Sequence, residues 1–197
     1  LKKWLQKILM QSARKALENK WPLAIGTCFV YMLITGAISA VPKTGGVGSL
    51  ILGGAFAFGM AKFSLAISRN HEAELKDIFD GFQNFATNLT TYLWMILYIF
   101  LWTLLLIVPG IIKGISYSMT FFILNDQPNL EPKEALKRSE NLMDGYKMKY
   151  FRLSLRFLGW ALLCVLTAGI GFLWLVPYMN ITFAKFYDDV KDNQLIA

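Results

Sequence analysis

The sequence predicts an all-α fold, a polytopic bundle of transmembrane helices in a single integral membrane domain over residues 1–197. Two stretches carry no charged side chain: 32 residues between Asp80 and Lys113, and 28 between Arg156 and Lys185. One helical crossing of a hydrocarbon layer about 30 Å thick needs roughly 20 apolar residues. Each stretch is therefore long enough to cross the layer once and to return part of the way. Hydrophobic residues form 55% of the chain and mean hydropathy is +0.44, more than a soluble domain requires.

Six apolar stretches follow one another in pairs, and each pair is predicted to form a hairpin of two spans. Each hairpin follows an amphipathic segment predicted to lie at the membrane interface, which divides the chain into repeat-like units of about 1–70, 71–128 and 129–197. Tight turns are expected at 42–46, at Pro109-Gly110 and at 169–171. The predicted spans are 22–41, 47–67, 89–108, 111–124, 153–166 and 172–186.

The three amphipathic segments show apolar residues at helical spacing among charged ones. In the first, Leu5, Leu9 and Ala13 recur on one face while lysines and arginines lie elsewhere. The second covers 72–88, and the third begins near Glu131. The apolar positions of the second are Leu75, Ile78, Phe79, Phe82 and Phe85, and those of the third are Ala135, Leu136, Leu142, Met143 and Phe151.

Two spans have unusual geometry. The stretch 111–124 makes about 21 Å of helix, which is too short for a full crossing. Either Lys113 extends outward to the headgroups, or the hairpin 89–124 is partly re-entrant and shielded by its neighbours. Pro177 lies inside the last span, where the missing N–H predicts a kink near Leu173 and Trp174.

The distribution of basic residues predicts the orientation of the chain. Six precede the first span, three lie near the second connection, seven near the fourth and two in the tail, which makes 18 of the 20. Only Lys43 and Lys113 fall on the opposite side, while all 13 acidic residues fall on the basic-rich side. Basic loops stay in the cytoplasm, so both termini are predicted to be cytoplasmic in a bacterial cytoplasmic membrane. This placement explains the net charge of +7 without nucleic acid.

The basic start and the small residues at 37–40 also loosely match a cleavable signal peptide. The first segment is long and amphipathic, which favours an uncleaved first span.

Four segments carry a resemblance to a known family, and together they extend over most of the chain. Their sequences are WPLAIG at 21–26, LWTLLLIVPGIIKGISYSM at 101–119, EALKRS at 134–139 and GIGFLWLVPY at 169–178. They resemble the bacterial integral membrane family known as domain of unknown function 975. The chain is also similar, more weakly, to the membrane domain that precedes some glycerophosphodiester phosphodiesterases. The resemblance implies a polytopic membrane protein and supplies no activity or site residues.

The residues show no catalytic or metal-binding constellation, so we predict no enzyme activity, no cofactor and no metal. His71 is the only histidine and lies in a loop, where a solvated side chain is expected. A metal site needs three or four converging ligands, and a Ser-His-Asp triad needs this one histidine. Gly45-Gly46-Val47-Gly48 lacks the Lys and Ser/Thr of a phosphate-binding loop. Cys28 and Cys164 lie in apolar stretches and indicate neither a disulfide framework nor a metal site.

Polar and hinge residues inside the spans are therefore the candidate functional positions, because charge at membrane depth is costly. Lys62 either extends to the cytoplasmic headgroups or has a buried role. Asn180 is expected to form an interhelical hydrogen bond or to line a substrate path. The full candidate set is Lys62, Pro109, Gly110, Lys113, Pro177 and Asn180.

The second span has an unusually smooth face, formed by Gly48, Gly53, Gly54 and Gly59. Small residues let a second helix approach closely, so this face is predicted either to pack inside the chain or to contact a membrane protein partner, including a second copy. Tryptophans and tyrosines near the ends of the spans are expected to anchor the protein at the interfaces.

Two classes of function remain open. The first is a non-catalytic accessory or sensing component that contacts membrane lipids and serves lipid or amphiphilic peptide handling, envelope homeostasis or peptide resistance. Basic amphipathic segments on an anionic leaflet favour this class. The second is a small secondary carrier with its site at helices broken by Pro109-Gly110 and Pro177. The lack of acidic residues inside the spans argues against a carrier coupled to protons or sodium.

Overall fold

A computed structural model describes residues 2–42, 45–167 and 169–195, with side chains described for 8–42, 45–167 and 169–193. The described residues form nine α-helices and one 3₁₀ helix and contain no strand, which confirms the all-α prediction. The helices are α1 (Lys2–Leu17), α2 (Trp21–Ser39), α3 (Gly45–Ser68), the 3₁₀ helix (Leu75–Phe82), α4 (Phe85–Leu105), α5 (Ile107–Ser116), α6 (Thr120–Asp126), α7 (Pro132–Leu142), α8 (Lys147–Leu166) and α9 (Phe172–Leu195).

Four helical stretches of the described chain are long and apolar enough to cross a membrane. They are α2, α3, α4 and the stretch Ile107–Asp126, which contains α5 and α6. These stretches identify a membrane protein. Both α8 and α9 are long, but charged residues recur through the first half of α8 and the last turns of α9. Six crossings therefore stay a prediction.

Helices α2 and α3 pack antiparallel. The Ser39 and Ser49 hydroxyls lie 3.1 Å apart at one end of the pair, and the rings of Tyr31 and Phe56 make an edge contact farther along at 6.1 Å. Of the predicted 42–46 turn, residues 43 and 44 lie outside the described residues, and α3 already begins at Gly45. The connection between the two helices therefore ends two residues earlier than predicted.

The turn between α4 and α5 lies at Leu106, so the prediction of a turn at Pro109-Gly110 is wrong. Leu106 has extended backbone, with φ −159° and ψ 142°. Pro109 is the third residue of α5, where the helix has no partner for an N–H, so proline costs little there. Gly110 is needed for close approach, since an added Cβ would overlap the side chain of Thr103 on α4.

The predicted span 111–124 is interrupted by a second break. Tyr117, Ser118 and Met119 separate α5 from α6, and the Tyr117 N–H still bonds back to the carbonyl of Lys113 at 3.0 Å. The returning half of this hairpin therefore consists of two short helices.

The second amphipathic segment forms the 3₁₀ helix and packs directly on α3. An added Cβ on Gly59 would overlap the carbonyl of Ile78, and one on Gly81 would overlap the carbonyl of Ala55. Ile78 is fully buried, while the stripe residue Phe79 stays 40% exposed. The segment is thus part of the bundle, and its glycines permit the close approach.

The smooth face of α3 is occupied within the chain. Gly53 faces the ring of Tyr92 and Gly54 faces the backbone of Asn88, both at distances that leave no room for a Cβ. The 3₁₀ helix covers Gly59 in the same way. The structure therefore shows intramolecular packing, the first of the two predicted roles, at Gly53, Gly54 and Gly59. Other parts of the same chain cover the surface at these three glycines.

Helices α8 and α9 form an antiparallel pair joined by stacked aromatic rings. Tyr150 stacks on Phe183 at 4.9 Å, and Phe157 meets Tyr178 edge-on at 5.7 Å. Pro177 is buried, and α9 continues through it without interruption, so this position does not break a helix as the carrier hypothesis assumed.

The apolar side chains divide into a core and an exposed surface. Residues of α1, α3, α6, α8 and α9 form the largest buried cluster. Leu104, Leu105 and Leu166 are instead 75%, 70% and 81% exposed, at the ends of helices. Exposed apolar surface of this extent is costly in water, which indicates that lipid covers it.

Candidate functional site

One buried serine of helix α7 forms hydrogen bonds to the backbone at the break between α5 and α6. The Ser139 hydroxyl donates to the carbonyl of Ser116 at 2.7 Å and accepts from the N–H of Met119 at 3.2 Å. Ser139 is completely buried, as are Ala135 and nearly all of Leu136 on the same helix. One side chain thus provides partners for a carbonyl and an N–H that the interrupted helix exposes.

An ion pair lies beside this contact. The ammonium of Lys113 on α5 lies 2.5 Å from Glu140 on α7, with the ring of Trp102 at 5.3 Å. The Lys113 side chain is 21% exposed, so the pair is partly shielded from solvent. Lys113 is therefore bound to its carboxylate and does not extend freely to headgroups.

This pair corrects the predicted orientation at Lys113. The prediction placed Lys113 and the acidic residues on opposite sides of the membrane, but salt-bridged side chains cannot lie across a layer about 30 Å thick. Lys113 lies only about 10 Å along the helix from the turn at Leu106. The structure thus does not show the outward extension of Lys113 that was predicted, and the partly re-entrant hairpin stays a prediction.

Lys62 forms an ion pair with Asp80 of the 3₁₀ helix, and its side chain is 45% exposed. This exposure argues against the buried role, and extension to the cytoplasmic headgroups stays a prediction. The pair joins α3 to the segment that packs on it.

A larger charged network connects α3, α6 and α9. Arg69 donates two hydrogen bonds to Asp126, at 2.7 and 3.1 Å, and two more to Asp188, at 2.8 and 3.1 Å. Asp126 also accepts from Tyr187 at 3.0 Å and from Lys191 at 2.5 Å. Cations and carboxylates alternate, so each charge has an opposite neighbour.

Arg69 and Tyr187 are the two groups of the network whose pKa is raised. The hydrogen bond to Asp126, followed by the bond to Asp188, raises the pKa of Arg69 above its ordinary value. Burial, followed by the charge of Asp126, raises the pKa of Tyr187. Arg69 is thus fixed as a cation and Tyr187 as a neutral hydrogen-bond donor.

A polar cleft of about 340 Å³ opens beside this network. Its charged lining residues include Arg69 and Asp126 of the network, together with Lys62 and Asp77. His71 lies at its edge with an exposed side chain, as predicted for a loop histidine. The cleft carries both positive and negative side chains, and those that belong to the network are already paired with one another. The charged network therefore serves to join the helices.

An apolar groove of about 370 Å³ lies between α5 and α8. Lys147 stands at its edge and makes no ion pair with any side chain that the structure describes. The other lining residues are apolar: Val108, Ile111, Ile112, Ile115, Met148 and Phe151. An apolar channel with one unpaired cation suits a molecule with an anionic head and an apolar chain.

The remaining predicted positions are dispersed. Asn180 approaches the thiol of Cys28 on α2, which fits an interhelical contact. Pro177 is buried one turn before it, while Pro109 and Gly110 lie beside the tip of the α4–α5 hairpin. The six candidates therefore do not form one site. Lys113 belongs to the contact of α5 with α7, and Lys62 lines the polar cleft beside the charged network.

Sequence reasoning missed the contact between Arg69, Asp126 and Asp188. A signal was present, since Arg69 and Asp126 each follow an apolar stretch by two residues, on the same predicted side of the membrane. It also missed Ser139 and Glu140, for which no local pattern exists. Their partners lie at least 20 residues away in the chain.

Comparison with known proteins gives one match. The model of the family described as "Protein of unknown function (DUF975)" matches residues 6–116 and 104–194, which together extend over nearly the whole chain. No curated protein and no solved structure matches. The weaker likeness to the phosphodiesterase membrane domain is not shown.

Proposed function

Given that the chain belongs to the DUF975 family, we propose that it is a non-catalytic membrane protein that handles amphiphiles, as an accessory or sensing component in lipid or peptide handling. Envelope homeostasis and resistance to membrane-active peptides are the processes that such a component serves. The observation that carries the proposal is the groove between α5 and α8 with Lys147 at its edge.

Three properties of this groove support amphiphile binding. Its volume of about 370 Å³ lies within the usual range for small-molecule sites. Ile111 and Ile112 remain 51% and 45% exposed, so the groove is accessible from the surrounding lipid. Lys147 is among the lining residues and forms no ion pair with any side chain that the structure describes, and a basic residue near a membrane contributes about 1 kcal/mol toward binding an anionic group.

Binding of a fluorescent fatty acid, dansyl-undecanoic acid, to the detergent-purified chain tests this proposal. Ile112→Trp fills the groove and should abolish saturable binding, while Leu163→Trp, at an exposed position of α8 outside the groove, should leave it intact. Lys147→Gln should weaken binding about fivefold, and Lys137→Gln, at an exposed position of α7, should not. Unchanged binding by Ile112→Trp would refute the proposal.

The carrier alternative has one supporting observation, the break between α5 and α6, because carriers place sites at interrupted helices. Against it, Ser139 already bonds the backbone groups that the break exposes. Saturable uptake of a labelled amphiphile into liposomes, abolished by Lys62→Ala or Asn180→Ala, would favour the carrier over the accessory role.

We further propose a location in a bacterial cytoplasmic membrane with both termini in the cytoplasm. The α4–α5 hairpin enters from the cytoplasmic side and returns, with Lys113 held by Glu140 near that side. Cysteine introduced at position 43 should react with a membrane-impermeant maleimide from outside the cell. Cysteine at position 113 should react only from the cytoplasm, and external labelling at position 113 would reject this topology.

A further inference from the structure

A second groove lies on the other side of α8, where the start of α2 and the first turns of α9 meet it. Its volume is about 310 Å³. The indoles of Trp21, Trp160 and Trp174 line it together with Tyr178 and Cys164. Trp160 and Trp174 are each more than half exposed, so the groove opens toward the surrounding medium.

Two arginines lie near Tyr178, one of the residues that line this groove. Arg156 of α8 contacts Met10, which also bonds Tyr178, and Arg14 follows Met10 by one turn of α1, so both arginines lie near the phenol of Tyr178. The Met10 carbonyl accepts from the Tyr178 hydroxyl at 3.1 Å, and the Met10 sulfur lies 3.4 Å from Nη1 of Arg156.

Neither arginine has a carboxylate partner among the side chains that the structure describes. Two other arginines do form ion pairs: Arg69 with two aspartates, and Arg138 with Glu134. A guanidinium without an acid leaves its donors free for an anion from outside the chain. Two such groups around one phenol make a positive end that the protein itself does not neutralise.

The positive end and the aromatic lining follow one line along α8. Arg156, Trp160 and Cys164 are spaced four residues apart, so they share a helix face. The line from Arg156 to Cys164 is about 12 Å long. A ligand that fills it has an anionic group at the arginines and an apolar body over the indoles.

We propose that this groove binds an anionic phospholipid of the surrounding bilayer, with its phosphate between Arg14 and Arg156 and the upper part of an acyl chain along Trp160. Arginine pairs with phosphate through two parallel hydrogen bonds, and tryptophan favours the depth of the headgroups. A phosphatidylcholine headgroup carries a quaternary ammonium that the two arginines repel. Phosphatidylglycerol has no such cation, so it is the favoured ligand.

Quenching of tryptophan fluorescence by phospholipids with brominated acyl chains tests this site in the detergent-purified chain. Brominated phosphatidylglycerol should bind more tightly than brominated phosphatidylcholine. Each arginine should contribute about fivefold, so Arg14→Gln with Arg156→Gln should weaken phosphatidylglycerol binding on the order of 30-fold. The matched control removes two exposed charges elsewhere, Lys15→Gln with Lys137→Gln, and should leave the affinity unchanged.

Two further measurements locate the ligand. Trp160→Phe should remove part of the quenching without changing the affinity for phosphatidylglycerol by more than a few fold. Trp94→Phe, on α4 beside Lys133, should leave the lipid-dependent quenching intact. Replacement of both arginines by lysine keeps the charge but not the paired hydrogen bonds, so its affinity should lie between wild type and the glutamine variant.

Several results would overturn this site. One is equal affinity of the wild-type protein for the two lipids. Another is an equal loss of phosphatidylglycerol affinity in the double arginine variant and in the double lysine control. A third is full quenching in Trp160→Phe. The site is independent of the groove between α5 and α8, because Lys147 lies on the opposite side of α8 from Arg156. Fatty-acid binding that survives the arginine changes would leave the proposed function standing while this site fails.

Discussion

Removal of the Ser139 hydroxyl is the sharpest test of how the interrupted helix is held. Ser139→Ala leaves the carbonyl of Ser116 and the N–H of Met119 without the partner they have in the structure. The position is fully buried, so water does not replace the hydroxyl. Each buried backbone group without a partner costs about 1–3 kcal/mol, which predicts a loss of about 2–4 kcal/mol for both after partial relaxation.

The assay is thermal unfolding of the purified chain in detergent, followed by circular dichroism. For a chain of this length 1 kcal/mol corresponds to about 2–4 °C, so the apparent Tm should fall by roughly 5–15 °C. Ser64→Ala is the matched control, because Ser64 is equally buried but its hydroxyl bonds only the carbonyl of Met60, four residues earlier in its own helix. Its Tm should change by less than about 2 °C.

Equal Tm values for the two serine variants would refute the reasoning. They would show that α5 and α6 satisfy their own backbone groups and that α7 is only packed beside them. A large loss in Ser139→Ala with normal helix content would show that the contact holds tertiary structure.

Three other outcomes follow from the described contacts. Lys113→Gln and Glu140→Gln should each lower the Tm, and the double change should cost less than their sum, with a coupling energy of about 1 kcal/mol in a double-mutant cycle. Gly59→Ala should lower the free energy of unfolding by about 1–3 kcal/mol, because the added Cβ meets backbone atoms. Gly114→Ala has open space around the added Cβ and should raise the free energy of chemical unfolding by up to about 1 kcal/mol. The raised pKa of Tyr187 favours the neutral phenol in the fold, so its contribution is complete below about pH 10 and is lost as pH rises; in a pH series Tyr187→Phe should remove that alkaline loss.

The sequence predicted the helices well because lipid imposes a simple rule on them. A charge-free stretch in a membrane must form its hydrogen bonds internally, so length and apolarity suffice to identify a helix. Four of the predicted spans correspond to the four helical stretches long enough to cross. The same rule says nothing about how the helices end.

The ends were harder because one residue type fits two structures. Proline favours both tight turns and the first turn of a helix, and at Pro109 the second preference prevails. The break at 117–119 has no local breaker, since its sequence is Tyr-Ser-Met. It is held by Ser139, 20 residues farther along the chain, and only the tertiary structure shows this.

The charge count failed at Lys113 for a related reason. Counting basic residues on each side of a membrane treats every lysine as a free charge. Glu140 provides a partner at 2.5 Å, which lets Lys113 remain on the side that the acidic residues occupy.

The contacts at α7 also change what the family motifs indicate. The segments 101–119 and 134–139 are the most distinctive parts of the resemblance, and the structure places them against each other through Ser139 and through the pair of Lys113 with Glu140. Their side chains are occupied in holding a broken helix, so distinctiveness here reflects architecture. Lys147, Arg14 and Arg156 form no ion pair with any side chain that the structure describes, and they lie elsewhere, at or near apolar grooves open to lipid. A free charge beside exposed apolar surface is the combination that an amphiphile matches, and those two sides of α8 are therefore where ligand specificity resides if the proposed function is correct.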